Sequence, residues 1–129
     1  MKALLSNYRQ SPRKVRLVAD MIRGKGVAEA KAALMFADQK SSEAIEKLLD
    51  SAVANATQAG ASVEALFVKT ISVDKGIVMR RFKPMARGRA AGVRKTTSIV
   101  KIELGARGES AQKTKASAPK KRTAKKSVK

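Results

Sequence analysis

The 129-residue chain carries 29 Lys and Arg against 10 Asp and Glu, a formal net charge of +19, and has no Cys and no His. That inventory excludes disulfides, Cys/His zinc sites and catalysis through a thiolate or an imidazole. It also asks for a polyanionic partner, because so large an excess of one sign repels itself. The length suits one domain. No apolar run reaches the ~18 residues that would span a membrane. The opening Met1-Lys2-Ala3-Leu4-Leu5 is too short for the apolar region of a signal peptide, so a cytoplasmic location is expected.

The charge is unevenly spread. Asp38 to Glu64 holds five acids and two lysines, whereas Lys75 to Lys101 holds nine basic residues and no acid. Lys2 to Lys31 holds eight basic residues and two acids, and Ala106 to Lys129 nine basic residues and one acid.

In chain order, Met1 to Tyr8 is a possible strand. Ser11-Pro12 predicts a helix start, with Ser at the N-cap and Pro at the first position, and Gly24 predicts its end. Between them Val15, Val18, Ala19 and Ile22 share one face, and Arg13, Arg16 and Arg23 the opposite one, a cationic ridge. A short alanine-rich helix is predicted from about Val27 to Ala37. A third runs from about Ser42 to Ala59, where Ile45, Leu48, Leu49, Ala52, Val53 and Ala56 form an apolar stripe. Leu66 to Val73 is dense in β-formers but alternates imperfectly, which suggests a bulge. Thr97 to Leu104 alternates better, with Val100, Ile102 and Leu104 on one side.

The stretch from Asp74 to Thr96 is too long for a tight turn or a structureless loop. It reads as a hairpin whose strands continue past the core, with Pro84 to Ala90 as its tip. The fold class is therefore α+β: three helices packed on a small antiparallel sheet, with a long protruding β-hairpin and a disordered basic C-terminal tail. A globular part over residues 1–105 is expected to include the hairpin at about 74–97. Residues 106–129, Lys-rich and almost without large apolar side chains, form the tail. It is either a solubilising extension or a phosphate-seeking arm, the latter favoured by the clusters Lys120-Lys121-Arg122 and Lys125-Lys126.

Enzyme readings find little. Ser11, Ser41, Ser42 and Ser98 lie near lysines in sequence, but a Ser-Lys dyad needs burial and these serines look exposed. Gly24-Lys25-Gly26 and Arg87-Gly88-Arg89 lack phosphate-loop spacing. No catalytic residue, metal site, cofactor or small-molecule substrate is expected. The basic helix face, basic hairpin and basic tail are instead the footprint of a nucleic-acid-binding protein. Tyr8, beside Arg9, and Phe82, between Arg81 and Lys83, either stack on unpaired bases or pack on the sheet. Composition does not separate RNA from DNA, and a DNA-architectural nucleoid protein with a basic hairpin arm is the competing class.

Ser11-Pro12-Arg13-Lys14-Val15-Arg16-Leu17-Val18-Ala19-Asp20-Met21-Ile22-Arg23-Gly24-Lys25 resembles the N-terminal motif of a large-subunit ribosomal protein family, the L-twenty-two family. Ser51-Ala52-Val53-Ala54-Asn55-Ala56 is similar to that family's third helix. Val73-Asp74-Lys75-Gly76 and Lys83-Pro84-Met85-Ala86-Arg87-Gly88-Arg89-Ala90 resemble its hairpin and tip. The match is collinear over residues 1 to about 104. The resemblance implies a structural, non-enzymatic constituent of the large subunit, near the tunnel exit, whose hairpin threads through 23S-type rRNA and whose tip lines the nascent-peptide tunnel. Its implied partners are large-subunit rRNA, neighbouring ribosomal proteins and the nascent polypeptide, with no membrane. The implied rRNA-binding residues are Arg13, Lys14, Arg16, Arg23 and Lys25 near the exit, with Arg9 beside them. Along the hairpin they are Arg80, Arg81, Lys83, Arg87, Arg89, Arg94 and Lys95. The tunnel-lining tip is Pro84, Met85, Ala86, Arg87, Gly88, Arg89 and Ala90, and Met79 to Arg81 match a stretch where changes in the family are linked to macrolide resistance. Met85 and Thr96 stand where basic residues are common in the family, and Ile99 where a histidine is.

Overall fold

Residues 1–106 are described by the computed structural model. They run β1 (Lys2–Tyr8), α1 (Pro12–Ile22), α2 (Val27–Met35), α3 (Ser42–Gln58), a 3-10 turn (Val63–Ala65), β2 (Leu66–Pro84) and β3 (Ala90–Ala106). The expected tail, from Arg107 onward, lies outside the described residues. The three strands form an antiparallel sheet in the order β1-β3-β2. Both strands that flank the helices in sequence therefore pair with the one made last.

Helix α1 starts where Pro12, lacking an N–H, loses nothing. Ser11 holds the N-cap position, but its hydroxyl makes no capping bond. Its carbonyl instead accepts from the amides of Lys14 and Val15 at 3.0 and 3.3 Å. At the other end Gly24 takes φ +77°, a left-handed conformation that costs glycine little. The turn so made is stitched to β2: the Gly24 amide donates to the Val68 carbonyl at 3.0 Å, and the Val68 amide to the Lys25 carbonyl at 2.9 Å. Helix α2 ends at Met35, two residues before the expected Ala37, and tightens into a last turn in which Ala37 donates to the Leu34 carbonyl at 3.2 Å. Leu34 is buried there and Phe36 is 89% exposed.

The helices cover one face of the sheet. Val15, Val18, Ala19 and Ile22 of α1 and Ile45, Leu49, Ala52 and Ala56 of α3 are fully buried. They meet Leu66, Val68, Ile71 and Val73 of β2 and Val100, Ile102 and Leu104 of β3. The imperfect alternation of β2 has a physical cause. Val68 pairs with Leu104 but Thr70 pairs with Glu103, so Lys69 is an extra residue. This bulge restores the core face, and Ile71 and Val73 point inward like Leu66 and Val68. Two more bulges follow. One lies between Leu5 and Tyr8 of β1, where Asn7 adopts φ 56°. The other lies between Lys75 and Val78 of β2, at the foot of the hairpin.

Beyond that foot β2 and β3 stay paired, from Val78 opposite Thr96 to Pro84 opposite Ala90. Gly76 is required at the foot: an added Cβ would lie 2.6 Å from Thr97 Oγ1. Thr97 uses that hydroxyl to donate to the Ile77 carbonyl at 2.9 Å, holding the bulge closed. Ala106 still pairs with Leu66. The Leu104 amide donates to the Met1 carbonyl at 2.8 Å.

Candidate nucleic-acid interface

The hairpin tip is built by backbone geometry. Arg87 and Gly88 both have positive φ, 60° and 67°. Two such residues in succession are the signature of the turn whose twist matches paired strands. The Arg89 amide reaches the Ala86 carbonyl at 3.5 Å, and the Met85 amide donates to the Arg89 carbonyl at 2.8 Å. Every residue from Arg80 to Ala90 is exposed. Arg80, Arg81 and Lys83 lie on β2, Arg87 and Arg89 in the turn, and Arg94 on β3 directly opposite Arg80, with Lys95 opposite Met79. Arg80 facing Arg94 places like charges across the ladder, which disfavours the isolated ribbon.

The α1 cations divide into two kinds. Arg13 and Lys14 are exposed on the outer face. Arg16 is not simply part of a ridge: its Nε and Nη2 both donate to the Val73 carbonyl, at 3.1 and 2.9 Å. Arg23 pairs with Asp20 at 2.9 Å and reaches the Ile71 carbonyl at 3.4 Å. These two guanidiniums tie α1 to β2, which as an edge strand of the sheet turns alternate carbonyls away from β3. All three arginines are exposed, as a cationic ridge requires, but Arg16 and Arg23 also hold backbone carbonyls of β2. Lys25 belongs to the turn stitched to Val68.

The two aromatic candidates separate. Tyr8 packs against the core and its hydroxyl donates to the Lys40 carbonyl at 3.2 Å. Burial, with the Glu43 carboxylate as a lesser cause, raises its phenol pKa. Phe82 is 80% exposed on the ribbon and free to stack. The serines are also corrected: Ser41, Ser42 and Ser98 are buried, not exposed. Burial supplies no dyad for Ser98, whose hydroxyl donates to the Gln10 carbonyl.

One concavity gathers four of the predicted cations from three elements. Arg9 from the β1–α1 link, Arg81 from β2, and Arg94 and Lys95 from β3 line a hollow of about 450 Å³, together with Ser11, Met79, Thr96 and Thr97. No carboxylate lines it. Nothing in the sequence joins Ser11, Thr96 and Thr97 to these cations, because a hydroxyl on a strand edge or helix start is ordinary. Only the register at the hairpin foot brings them together. Among the described residues no cluster of His, Cys, Asp and Glu could hold a metal, and no helix is long and apolar enough to cross a membrane.

The class is that of a small α+β body carrying a cationic two-stranded ribbon. The chain belongs to the ribosomal protein L22p/L17e family, whose model matches residues 3–105. It is similar to the large ribosomal subunit protein uL22 of Geobacter metallireducens, 56% identical over 104 residues that cover 80% of this chain and 94% of that protein. The uL22 of Citrifermentans bemidjiense is 55% identical over 103 residues, covering 79% and 93%. That of Syntrophotalea carbinolica is 52% identical over 104 residues, covering 80% and 94%. Membership makes the protein a structural constituent of the large subunit of the cytoplasmic ribosome and not an enzyme. It also decides against the DNA-architectural alternative.

Proposed function

We propose that this chain binds and organises large-subunit rRNA with its α1 face and ribbon, and that the tip from Pro84 to Ala90 lines the nascent-peptide exit tunnel. The observation that carries the reading is the ribbon itself. From Gly76 to Thr96 it holds seven Lys and Arg and no acid, and it projects eight residues, roughly 26 Å at ~3.3 Å each. A two-stranded ribbon is marginal in water. One with like charges facing across its strands needs an external anion, and rRNA phosphates supply it.

The work divides by residue. Arg9, Arg13, Lys14 and Lys25 neutralise phosphates beside the body, and Arg16 and Arg23 add the guanidinium edges their backbone contacts leave unused. Arg80, Arg81, Lys83, Arg94 and Lys95 hold rRNA segments along the ribbon, with Phe82 stacking on an unpaired base. Arg87 and Arg89 grip phosphates at the tip, where Ala86 and Gly88 keep the tunnel wall low. Neighbouring ribosomal proteins complete the surroundings of the body. The test is photo-crosslinking from Met85 and Arg89 in large subunits carrying a stalled nascent chain. Crosslinks to the nascent chain are expected. Crosslinks to rRNA alone would remove the tunnel role and leave the scaffold role.

A further inference from the structure

We infer that the hollow at the foot of the ribbon is a built site for one unpaired nucleotide of rRNA, base as well as phosphate. The inference rests on the rRNA-binding reading and says what that reading leaves open: which contact is to a base and which to backbone. At about 450 Å³ the hollow is far larger than a phosphate needs and within the range of small-ligand sites. A paired A-form helix offers side chains only its phosphates and a shallow groove and cannot enter such a space. A nucleotide splayed out of the strand can.

The lining suits both parts of that ligand. Arg9, Arg94 and Lys95 provide positive charge with no carboxylate among them to compete. Arg81 lines the hollow, and its Nη1 donates to the Arg80 carbonyl at 2.8 Å. A guanidinium plane is a stacking surface for a base. Met79 adds a polarizable apolar wall. The hydroxyls of Ser11 and Thr96 can read base edges, and Thr97, committed to Ile77, can still accept. Arg80, Lys83, Arg87 and Arg89 do not line this hollow and suit backbone phosphates.

The experiment is chemical probing of rRNA in large subunits reconstituted with wild-type protein or with Thr96→Trp, which fills the hollow without changing its charge. With wild type, one unpaired base is expected to be shielded from base-modifying reagents. With Thr96→Trp its reactivity should rise about tenfold, the size of losing one stacked base, while the backbone footprint of the ribbon persists. Unchanged shielding with normal incorporation would overturn the nucleotide site and leave the rRNA reading intact. No footprint with wild type would overturn the rRNA reading itself. Should Thr96→Trp fail to incorporate, wild-type subunits containing photoreactive thio-uridine decide the matter. Crosslinks from an unpaired base to Met79, Arg81 or Thr96 support the site, and crosslinks to these residues from paired positions only would refute it.

Discussion

Arg16 and Arg13 lie three residues apart on one helix and differ in what removing them does. Arg16 delivers two charge-assisted hydrogen bonds to the Val73 carbonyl across the α1–β2 interface. Arg13 is exposed on the outer face. Hydrogen bonds to charged groups are worth about 1.5–3 kcal/mol when buried, so a partly exposed pair should contribute about 1 kcal/mol. In urea unfolding we expect Arg16→Ala to lower stability by about that much, and Arg13→Ala to stay within about 0.5 kcal/mol of wild type. Equal, negligible effects would mean that Arg16 contributes only charge. Gly76→Ala should cost more, about 1–3 kcal/mol, because its Cβ displaces the Thr97 hydroxyl that bonds Ile77. The same change in a Thr97→Ala background should cost less, since the clashing atom is gone. A double-mutant cycle of thermal midpoints reads the difference. None of this was legible in the sequence. Helical spacing placed Arg16 and Arg23 opposite Val15 and Ile22 correctly, but spacing cannot show that an edge strand leaves a carbonyl within a guanidinium's reach. Ser41, Ser42 and Ser98 read as exposed and are buried for a related reason: small polar residues fill helix-start and strand positions that have no apolar signature.

At the scale of elements the sequence spoke more clearly. All three helices and all three strands follow from apolar period, Pro12, Gly24 and the β-formers of β2 and β3. Those signals are local, and the elements are long enough to carry them. The order of the strands was not readable, because it depends on which distant segments pair. The ribbon is where an element's geometry makes a prediction. Removing Met79 to Arg81 takes out an odd number of residues, so the strand beyond it turns its side chains to the opposite face and the tip retreats. The core residues lie on the far side of the Gly76 bulge, so subunits should still assemble. Macrolide sensitivity or nascent-chain stalling should change, as measured by drug titration and toeprinting. Unchanged behaviour in assembled subunits would remove the tip's role at the tunnel wall. Strand β1 offers a pH test. The hydrogen bond between Lys2 and Glu103, 2.8 Å long, lowers the Glu103 pKa and raises that of Lys2. The pair's contribution is complete at neutral pH. It is lost as pH falls through the lowered Glu103 value, and again as pH rises through the raised Lys2 value. The stability gap between wild type and Glu103→Gln should therefore be constant around neutrality and narrow at both ends, below the ordinary glutamate range and above the ordinary lysine range. Because both side chains are exposed, the gap itself should be small.

For the molecule as a whole, the decisive quantity is the imbalance of 29 basic against 10 acidic residues. Each phosphate neutralised releases a counterion, so rRNA affinity should fall linearly with salt on logarithmic axes. For six to ten contacts the loss is about 10³–10⁵ between roughly 50 and 200 mM salt. A truncation after Ala106 should bind more weakly and with a shallower slope, because tail lysines no longer contribute. Its thermal midpoint should match the full chain, since β3 keeps its last pair, Ala106 with Leu66. Filter binding over a salt series and calorimetry check the two halves of that expectation. A drop in the midpoint would mean that residues beyond Ala106 hold part of the body together.

The sheet order has a consequence for how the protein is made. Strand β3 lies between β1 and β2, yet it is translated last, and Leu4 finds its partner at Lys101. Until β3 leaves the synthesising ribosome, β1 and β2 both lack the strand they pair with among the described residues. Contacts so distant in sequence close slowly and late. The body therefore cannot fold domain-fashion from its N-terminus during synthesis. For most of its synthesis the chain emerges as an unpaired, strongly cationic polymer amid polyanions. Nascent chains stalled before Ala90 should be as protease-sensitive as unfolded protein, and resistance should arise in one step once Ala106 has cleared the exit.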